Sequence, residues 1–293
     1  MMTETIRNKI LLAVQQAPML SISASRLMQV TSQPDYDIRE VIDVVQTDAN
    51  LTARVLKVVN SAAFGLVTKI NSLERAITLL GERVVVGIAI GDSAGHLFHK
   101  TLKGYESGKG DLWRHDLRTA IASRLVAQKG QAGITVDLAF TAGLLHDLGK
   151  AFISDFLENT AGAILEQIEN HQSASYLEAE TAILGMNHTE AGDALAELWN
   201  LPAPLRAVIR YHHAPDQAPD EFKPLVYCVH LGDIVAMMGG CGTGADTLQY
   251  TLDPGYIRFL DLPPNKLAEI MLDVEDEFSK IESSLQDTKE NVA

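Results

Sequence analysis

The sequence predicts an all-α protein: a compact multi-helix array with an N-terminal helical half and a second helical half. Apolar residues recur along the chain at the i, i+3, i+4, i+7 spacing of one helix face. Leu, Ala, Ile and Val dominate and aromatic residues make up only 6%, which suits helix-on-helix packing. The β-branched run at residues 84–86 continues into Gly87, Ile88 and Ala89, which indicates a tightly packed helix rather than a strand.

Three short helices are predicted between residues 37 and 81. Asp37 and Glu40 match a capping box at the start of the first, in which each side chain bonds a backbone N–H of the other residue. The N-caps of the second and third helices are assigned to Asn50 and Asn71, each of which precedes an apolar periodic run. Gly81 ends the third helix, because glycine tolerates the backbone conformation of a helix stop.

A glycine-rich segment divides the chain into two helical parts. Residues 103–111, KGYESGKGD, hold three glycines and four charged side chains, which is the composition of a loop. We expect an N-terminal extension, a central domain in two parts, and a C-terminal helical segment with an acidic tail: residues 1–14, 15–240 (divided into 15–102 and 111–240) and 241–293. The last dozen residues are expected to fray.

Four further helical stretches are predicted after this loop. They cover residues 136–156, with Gly149 as a candidate interruption, and residues 178–199, 228–238 and 266–279. Residues 214–224 contain three prolines and are predicted to form a loop, since proline has no amide hydrogen to give to a helix.

Size and charge narrow the class of protein. The 293 residues suffice for one large or two small domains, and 46% apolar with 21% charged residues is the balance of a folded globule. The net charge is −14 and no stretch is strongly basic, so binding to duplex nucleic acid is not expected. Acidity leaves a phosphorylated substrate open, because bound metal ions reverse the local field.

Cysteine usage and the lack of apolar spans predict a cytoplasmic location without membrane contact. Cys228 and Cys241 form no CxxC motif and do not suggest a disulfide framework. The N-terminal residues MMTETIRNKI lack the apolar core of a signal peptide. The longest strongly apolar run, residues 84–90, is far too short to cross a bilayer.

A histidine–aspartate pair after an apolar run is the main chemical signal. A neutral imidazole and a carboxylate bind divalent ions, and the two oxygens of the carboxylate of Asp147, beside His146, can bridge two ions. Gly149 permits close backbone approach, and Lys150 places a cation one turn further on, where a phosphate oxygen would bind. We therefore assign Asp147 and Lys150 as candidate catalytic residues.

Further candidate ligands occur in the same part of the chain. Burying many titratable groups in apolar helices costs free energy unless they coordinate something, which argues for a metal site. The candidate set is His115, His146, Asp147, His188, His212, His213 and Asp233.

Each candidate also has an ordinary structural explanation. A lone helical histidine is more often a surface or hydrogen-bonded core residue, Asp233 could lie on a helix surface, and His212 with His213 could simply cap a helix C-terminus. Lys150 alone is more simply a solvated lysine. Asp116 forms a second histidine–aspartate pair but lies in a charged stretch between two arginines, which indicates a solvated face. The remaining histidines are expected to be structural: His96, His99, His171 and His230.

This series of residues resembles the HD superfamily of metal-dependent phosphohydrolases, and its order is similar to the ligand series of the HD-GYP branch. Other segments resemble the HDOD family more narrowly. They are residues 18–20, 46–56, 59–62 (VNSA), 70–77 (INSLERAI), 80–81, 184–188 and 199–202. Together the resemblance covers roughly residues 15–240.

The HDOD resemblance implies one continuous helical unit, with the N-terminal helices packed on an HD-type bundle, and a role in bacterial signal transduction. It implies no activity, since many HDOD members have lost metal ligands, whereas this sequence keeps every position. A cyclic di-GMP phosphodiesterase would continue with glutamate after His213 and carry a GYP loop; here Ala214 follows and that loop is missing, which weakens the case for that reaction. Asp111 is the one candidate for the additional acidic ligand of some relatives.

Two functions stay open. The first is an HDOD-type regulator that recognises a signalling protein or a nucleotide, with a metal pair that is structural. The second is a metal-dependent phosphohydrolase, a phosphodiesterase or nucleotide phosphatase, whose two ions share Asp147: one held also by His115, His146 and Asp233, the other by His188, His212 and His213. Iron or manganese is preferred and zinc is possible. A diiron oxygenase is a third reading that no sequence feature favours.

Overall fold

The computed structural model describes residues 2–33, 35–60, 66, 68–130, 133–171, 173, 175–247 and 249–290. Within these residues the fold is all-helical, as predicted, apart from one isolated bridge between Leu102 and Ser107. The α-helices are α1 Met2–Gln15, α2 Ile22–Thr31, α3 Ile38–Gln46, α4 Ala49–Val59, α5 Leu73–Leu80, α6 Glu82–Phe98, α7 Asp111–Lys129, α8 Val136–Leu145, α9 Lys150–Ile153, α10 Ala161–Glu169, α11 Tyr176–Leu184, α12 His188–Leu198, α13 Ala203–Tyr211, α14 Lys223–Met238 and α15 Pro264–Glu290.

Capping residues determine where the N-terminal helices begin. The predicted capping box of Asp37 starts α3. The two other predicted N-caps were wrong: the Asp48 side chain, not that of Asn50, accepts a hydrogen bond at the start of α4, and Ser72 takes the place of Asn71 at the start of α5. In each case the true cap stands three residues before the amide that it satisfies, which is within the reach of an N-cap side chain.

The amide of Asn60 ties α4 to the chain that leads into α5. Its side chain donates to the carbonyls of Leu56 and Ile70 and accepts from the Ile70 amide at 2.7 Å. The adjoining Ser61 and Ala62 of the family-like segment lie outside the described residues. The run at residues 84–86 is helical, as predicted, and lies within α6.

Helix α7 is the centre of the second half, where it packs along α8 and α14 and is covered on another side by α15. Acidic residues of α15 pair with the basic side of α7, for example Glu275 with Arg118 at 3.0 Å and Asp273 with Lys129 at 2.5 Å. The N-terminal helices pack on this unit through α2 and α6 against α8, and α1 lies against α9, α11 and α12. The indole of Trp199 donates to the carbonyl of Pro18 at 3.0 Å and so joins the two halves.

Two long predicted helices are each broken where the candidate ligands stand. The stretch 136–156 ends as α8 at Leu145, and a turn carries His146 and Asp147 before α9. The stretch 178–199 divides at Gly185, which has φ +76°, and α12 restarts with Asn187 as N-cap. Glycine adopts this left-handed conformation without strain, which makes it a helix stop.

The predicted loop at residues 103–111 contains a short helical turn and a buried side chain. It holds a 3₁₀ turn at Lys103–Tyr105, and the Tyr105 side chain is fully buried. The last predicted helix is longer than expected, since α15 extends from Pro264 to Glu290. Among the described residues, no helix combines the length and apolarity that a bilayer crossing needs.

Candidate metal centre

The structure brings all seven candidate ligands together in the interior of the second half. Six of them are buried, with at most 2% exposure each, and His213 is partly exposed. His115 comes from α7, His146 and Asp147 from the turn after α8, His188 from the first position of α12, His212 and His213 from the end of α13, and Asp233 from α14.

One group of side chains faces the first carboxylate oxygen of Asp147. Its Oδ2 lies 3.6 Å from His115 Nε2 and 3.5 Å from His146 Nε2. Asp233 Oδ1 approaches the same two nitrogens, at 3.1 Å and 3.7 Å. Two imidazole nitrogens and two carboxylate oxygens therefore face a common point.

A second group faces the other oxygen of the same carboxylate. Asp147 Oδ1 lies 3.5 Å from the Nε2 atoms of both His188 and His212. With His213, these residues form a set whose donor atoms all lie within 4.8 Å of one another. Asp147 thus stands between the two groups with one oxygen turned to each, the arrangement of a bridging ligand.

The four fully buried imidazoles have one nitrogen engaged and one free. The Nδ1 atoms of His115, His146 and His212 lie within hydrogen-bond distance of backbone carbonyls, and that of His188 lies 2.8 Å from Glu180 Oε2. Their Nε2 atoms have no hydrogen-bond partner among the described residues. A proton held at Nδ1 leaves a lone pair at Nε2, which is the pattern of metal-binding histidines. Buried polar atoms without partners are rare, so this donor set fits a divalent ion.

The charges of the two carboxylates suit coordination. Burial by itself raises a carboxyl pKa, but Lys150 and the neighbouring histidines hold the pKa of Asp147 well below its usual range. Burial likewise opposes ionisation of Asp233, yet the neighbouring His115 and His146 keep its pKa well below the usual value. Both carboxylates are therefore ionised at neutral pH.

Most of the shifted imidazoles are neutral. Burial lowers the pKa of His212 to about 4. Burial, together with His212 and His188, lowers the pKa of His213 well below its ordinary value. His115 differs: burial lowers its pKa, but Asp233 outweighs this effect and raises it. His212 and His213 thus offer unprotonated nitrogens without competition from protons at neutral pH.

From the sequence alone, Lys150 could have been an ordinary solvated lysine, but the structure places it in the interior. Its side chain is buried, and the ammonium contacts Asp147 Oδ2 at 2.6 Å, Asp246 Oδ2 at 2.5 Å and Thr243 Oγ1 at 2.7 Å. Gly149 permits this packing as expected, because a side chain there would overlap the backbone carbonyl of His188.

Sequence reasoning assigned Asp116 wrongly to a solvated face. Its side chain is fully buried, and Oδ1 lies 3.6 Å from His146 Nδ1. It approaches the Nδ1 atom of that ring, which also contacts the Gly143 carbonyl. With His115, His146 and Asp147, Asp116 forms a group whose potential ligand atoms all lie within 4.8 Å of one another. Burial, followed by the charge of Asp147, raises the pKa of Asp116 well above its usual range. Helical geometry could have revealed this position, since two residues turn the chain about 200° from Arg114 on the α15 side.

Four other residues around the centre were missed by sequence reasoning. Glu180 is fully buried behind His188, and Thr243 and Asp246 hold Lys150. Tyr250 stacks on His213 with ring centroids 3.7 Å apart. No local pattern marks these positions, and three of the four lie beyond residue 240.

Asp111, the candidate additional ligand, has other partners. Its Oδ2 accepts from the Gly108 amide at 2.7 Å and its Oδ1 pairs with Arg114 at 3.3 Å. It lines a cavity of about 380 Å³ together with Arg118, Glu275 and residues 239–242. These contacts give Asp111 a role at the start of α7 and the rim of this cavity.

The histidine beside the centre that was expected to be structural uses both ring nitrogens for backbone contacts. His230 Nδ1 lies 2.8 Å from the carbonyl of His212, and its Nε2 accepts from the Asp253 amide at 2.9 Å. The other three, His96, His99 and His171, are absent from the clustered metal-binding groups of the described residues.

Comparison with known proteins identifies sequence relatives. The family model of the HDOD domain matches residues 17–215. An uncharacterized protein of Treponema pallidum (strain Nichols) is 29% identical over 218 residues, which are 74% of this chain and 41% of that protein. The chain therefore spans less than half the length of this curated relative.

Solved structures share the fold at low sequence identity. An HDOD domain protein of unknown function from Geobacter sulfurreducens is 23% identical, with a TM-score of 0.65, over 97% of this chain and 96% of that one. A protein provisionally described as a signal transduction protein, from Marinobacter aquaeolei VT8, is 20% identical, with a TM-score of 0.72, over 94% of this chain and 60% of that one. One provisionally described as a phosphohydrolase, from Shewanella amazonensis SB2B, is 20% identical, with a TM-score of 0.59, over 97% and 98%.

Proposed function

The chain belongs to the HDOD family, and we propose that it is a bacterial signal-transduction protein that holds divalent metal ions in its HD-type half. The provisional description of the Marinobacter structure supports the regulatory part of this proposal. The partner would be a signalling protein or a nucleotide.

The metal proposal rests on four buried imidazoles, in each of which Nδ1 has a hydrogen-bond contact and Nε2 has no partner among the described residues. Four buried Nε2 atoms point at the two oxygens of Asp147, and each of the four rings is oriented by a contact at Nδ1. An apolar helix bundle would not accumulate such unpartnered atoms without a ligand, because each costs roughly 1–3 kcal/mol when left unpaired.

The residues divide into two sets that would each hold one ion. His115, His146 and Asp233 would hold one ion and His188, His212 and His213 the other, with Asp147 shared between them. A histidine-rich set with a bridging carboxylate suits iron or manganese, with zinc as an alternative. Bound ions of this kind supply Lewis acidity and positive charge to an oxyanion.

The closed surroundings of the centre favour regulation over turnover. All three donors of Lys150 are engaged by Asp147, Asp246 and Thr243, and Tyr250 covers His213. A lysine that assists phosphoryl transfer needs a free donor for the substrate, and here each one is taken. We infer that Lys150 is not available to a substrate in the described conformation, which favours the regulator.

A metal-dependent phosphohydrolase is the second candidate, and Asp147 favours it. One carboxylate whose two oxygens face two ligand sets is what a two-ion phosphoesterase requires. In this case Asp147 would position both ions, and Lys150 would bind the phosphate and stabilise the charge that develops on it. The substrate would be a phosphodiester or a nucleotide phosphomonoester.

Metal analysis of the untagged protein tests the proposal. We expect close to two iron, manganese or zinc ions per chain in the wild-type protein, and a large loss in Asp147→Ala and in the isosteric Asp147→Asn. Asp155→Ala removes an exposed aspartate eight residues along and should retain the metal. A folded wild-type protein that contains no metal, even after reconstitution, would contradict the proposal.

A hydrolysis screen separates the two candidates. The metal-loaded protein is offered phosphomonoesters, linear phosphodiesters and cyclic dinucleotides. Turnover that is lost in Asp147→Asn supports the phosphohydrolase. Metal without turnover supports the regulator.

A further inference from the structure

The ammonium of Lys150 contacts Asp147, Asp246 and Thr243, so its three hydrogens are all used. A phosphate oxygen can reach this ammonium only by replacing one of its acceptors. Asp147 is the candidate bridging ligand of the metal centre and is expected to stay in place. The acceptors that a phosphate oxygen could replace at Lys150 are therefore Thr243 and Asp246. Asp246 is the stronger of the two, because it carries a full negative charge.

Asp246 is held so that it can leave Lys150 without losing all its partners. Its Oδ1 accepts from the Thr243 hydroxyl at 2.8 Å, and its Oδ2 accepts from the Tyr250 hydroxyl at 3.0 Å. These two neutral donors remain when the ammonium turns to another acceptor. Since a buried carboxylate without donors is strongly unfavourable, this cradle lowers the cost of the exchange.

We propose that Asp246 occupies the place of a ligand's phosphate group at Lys150, so that a phosphorylated ligand binds by displacing this carboxylate. The inference rests on the proposed metal centre and names its ligand class: a phosphate ester or free phosphate. The Asp246 carboxylate therefore competes with the ligand's phosphate group for Lys150, and this competition lowers the affinity of the centre for every such ligand.

The segment that carries Asp246 also contacts both ligand groups, which links ligand entry to the centre. The carbonyl of Cys241 lies 2.8 Å from His115 Nδ1 on one side, and Tyr250 stacks on His213 on the other. Between them the Ala245 amide donates to the Tyr105 carbonyl at 2.7 Å. This segment lies beyond residue 215, where the family match ends, so the competitor is a feature of this chain outside the matched region.

Neutralising the carboxylate tests the proposal directly. Orthophosphate is titrated by calorimetry into the manganese-loaded full chain. Asp246→Asn keeps the shape of the side chain but removes its charge, and we expect it to bind orthophosphate about tenfold or more tightly than the wild-type protein, because a charged hydrogen bond no longer competes. Tyr250→Phe leaves the stacked ring in place but removes one of the two donors that would hold the carboxylate after it leaves the ammonium. Because the exchange then costs more, we expect this variant to bind orthophosphate more weakly than the wild-type protein.

Two controls separate competition at Lys150 from a general charge effect. Asp155→Asn removes an aspartate that pairs with Lys100 at an exposed position and should leave the orthophosphate affinity unchanged. In a Lys150→Met background, Asp246→Asn should give no gain, since the shared cation is absent.

The outcomes distinguish this inference from the proposed function. The proposal that Asp246 competes with the ligand is overturned if the wild-type and folded Asp246→Asn proteins bind orthophosphate equally tightly. It is also overturned if Asp246→Asn increases the orthophosphate affinity in the Lys150→Met background. An absence of orthophosphate binding in every metal-loaded variant, while the metal content still supports the centre, overturns it as well. If Asp246→Asn does not fold, an unchanged affinity in Tyr250→Phe overturns the inference. Failure of the proposed function would appear in the metal analysis instead, as a folded wild-type protein that contains no metal.

Discussion

Glu180 offers the most quantitative test of how the centre is supported. This buried carboxylate receives three hydrogen bonds: from the His188 amide at 2.9 Å, from His188 Nδ1 at 2.8 Å and from the Tyr105 hydroxyl at 2.6 Å. Through the second of these it orients a candidate ligand whose Nε2 faces Asp147. It does not touch the centre itself, so changing it tests the orientation of His188 alone.

The substitution Glu180→Gln should leave the fold intact and weaken metal binding. A glutamine can keep its oxygen toward His188 and turn its amide toward Tyr105, whose hydroxyl can accept as well as donate. All three contacts survive, but the bonds to His188 lose their charge assistance. We expect a drop in metal affinity of about tenfold, the lower end of the effect of such supporting groups, and a loss of unfolding free energy of about 1 kcal/mol.

The substitution Glu180→Leu should do far more. It leaves three buried donors without an acceptor, and each unpaired donor costs roughly 1–3 kcal/mol. The total of roughly 3–9 kcal/mol is comparable with the whole stability of a typical domain. We therefore expect a protein that is partly unfolded or poorly expressed, in contrast to the glutamine variant.

Competition with a chromophoric chelator gives the metal affinity, and urea unfolding of the metal-free proteins gives the stability. Glu178→Gln serves as the control, because it removes an exposed carboxylate from the same helix. The reasoning is refuted if Glu180→Gln binds metal as tightly as the wild-type protein, because then the orientation of His188 does not depend on the Glu180 charge. It is also refuted if both glutamine variants lose affinity equally.

Two further predictions concern packing and pH. Gly149→Ala would push a methyl group into the His188 carbonyl and to 2.6 Å from the Gly192 amide. Urea unfolding should therefore show a loss of about 1–3 kcal/mol in the free energy of unfolding, and the metal content should fall. As a control, Gly95→Ala in α6 meets no described atom within 4 Å and should raise the free energy of unfolding by up to about 1 kcal/mol. The metal-free protein should lose stability as the pH falls from 6.5 to about 4, because unfolded His212 takes up a proton in this range while the folded residue stays neutral. His212→Gln should remove roughly 3 kcal/mol of that loss at the acid end, and an unchanged pH dependence would count against the burial of a neutral His212.

Local sequence signals predicted the fold class and some helix boundaries. The capping box at Asp37 and the stop at Gly81 depend on residues a few positions apart, so they could be read directly. The helix break after Leu145 could not, because the apolar pattern continues through the turn. At this turn Gly149 packs closely against the backbone of His188 and Gly192 in α12, a tertiary contact that local propensity does not predict.

The candidate ligands and their supports differ in how far the sequence identified them. The order of residues along the chain predicts an all-helical protein of the HDOD family and identifies a set of histidines and aspartates as candidate ligands. The folded structure adds that these side chains converge on the two oxygens of Asp147, that Asp116 is buried beside His146, and that Asp246 holds Lys150. Order and spacing along a chain report local conformation. The partner of a buried charge depends instead on which helix faces pack together, and Lys150 and Asp246 are 96 positions apart in the sequence.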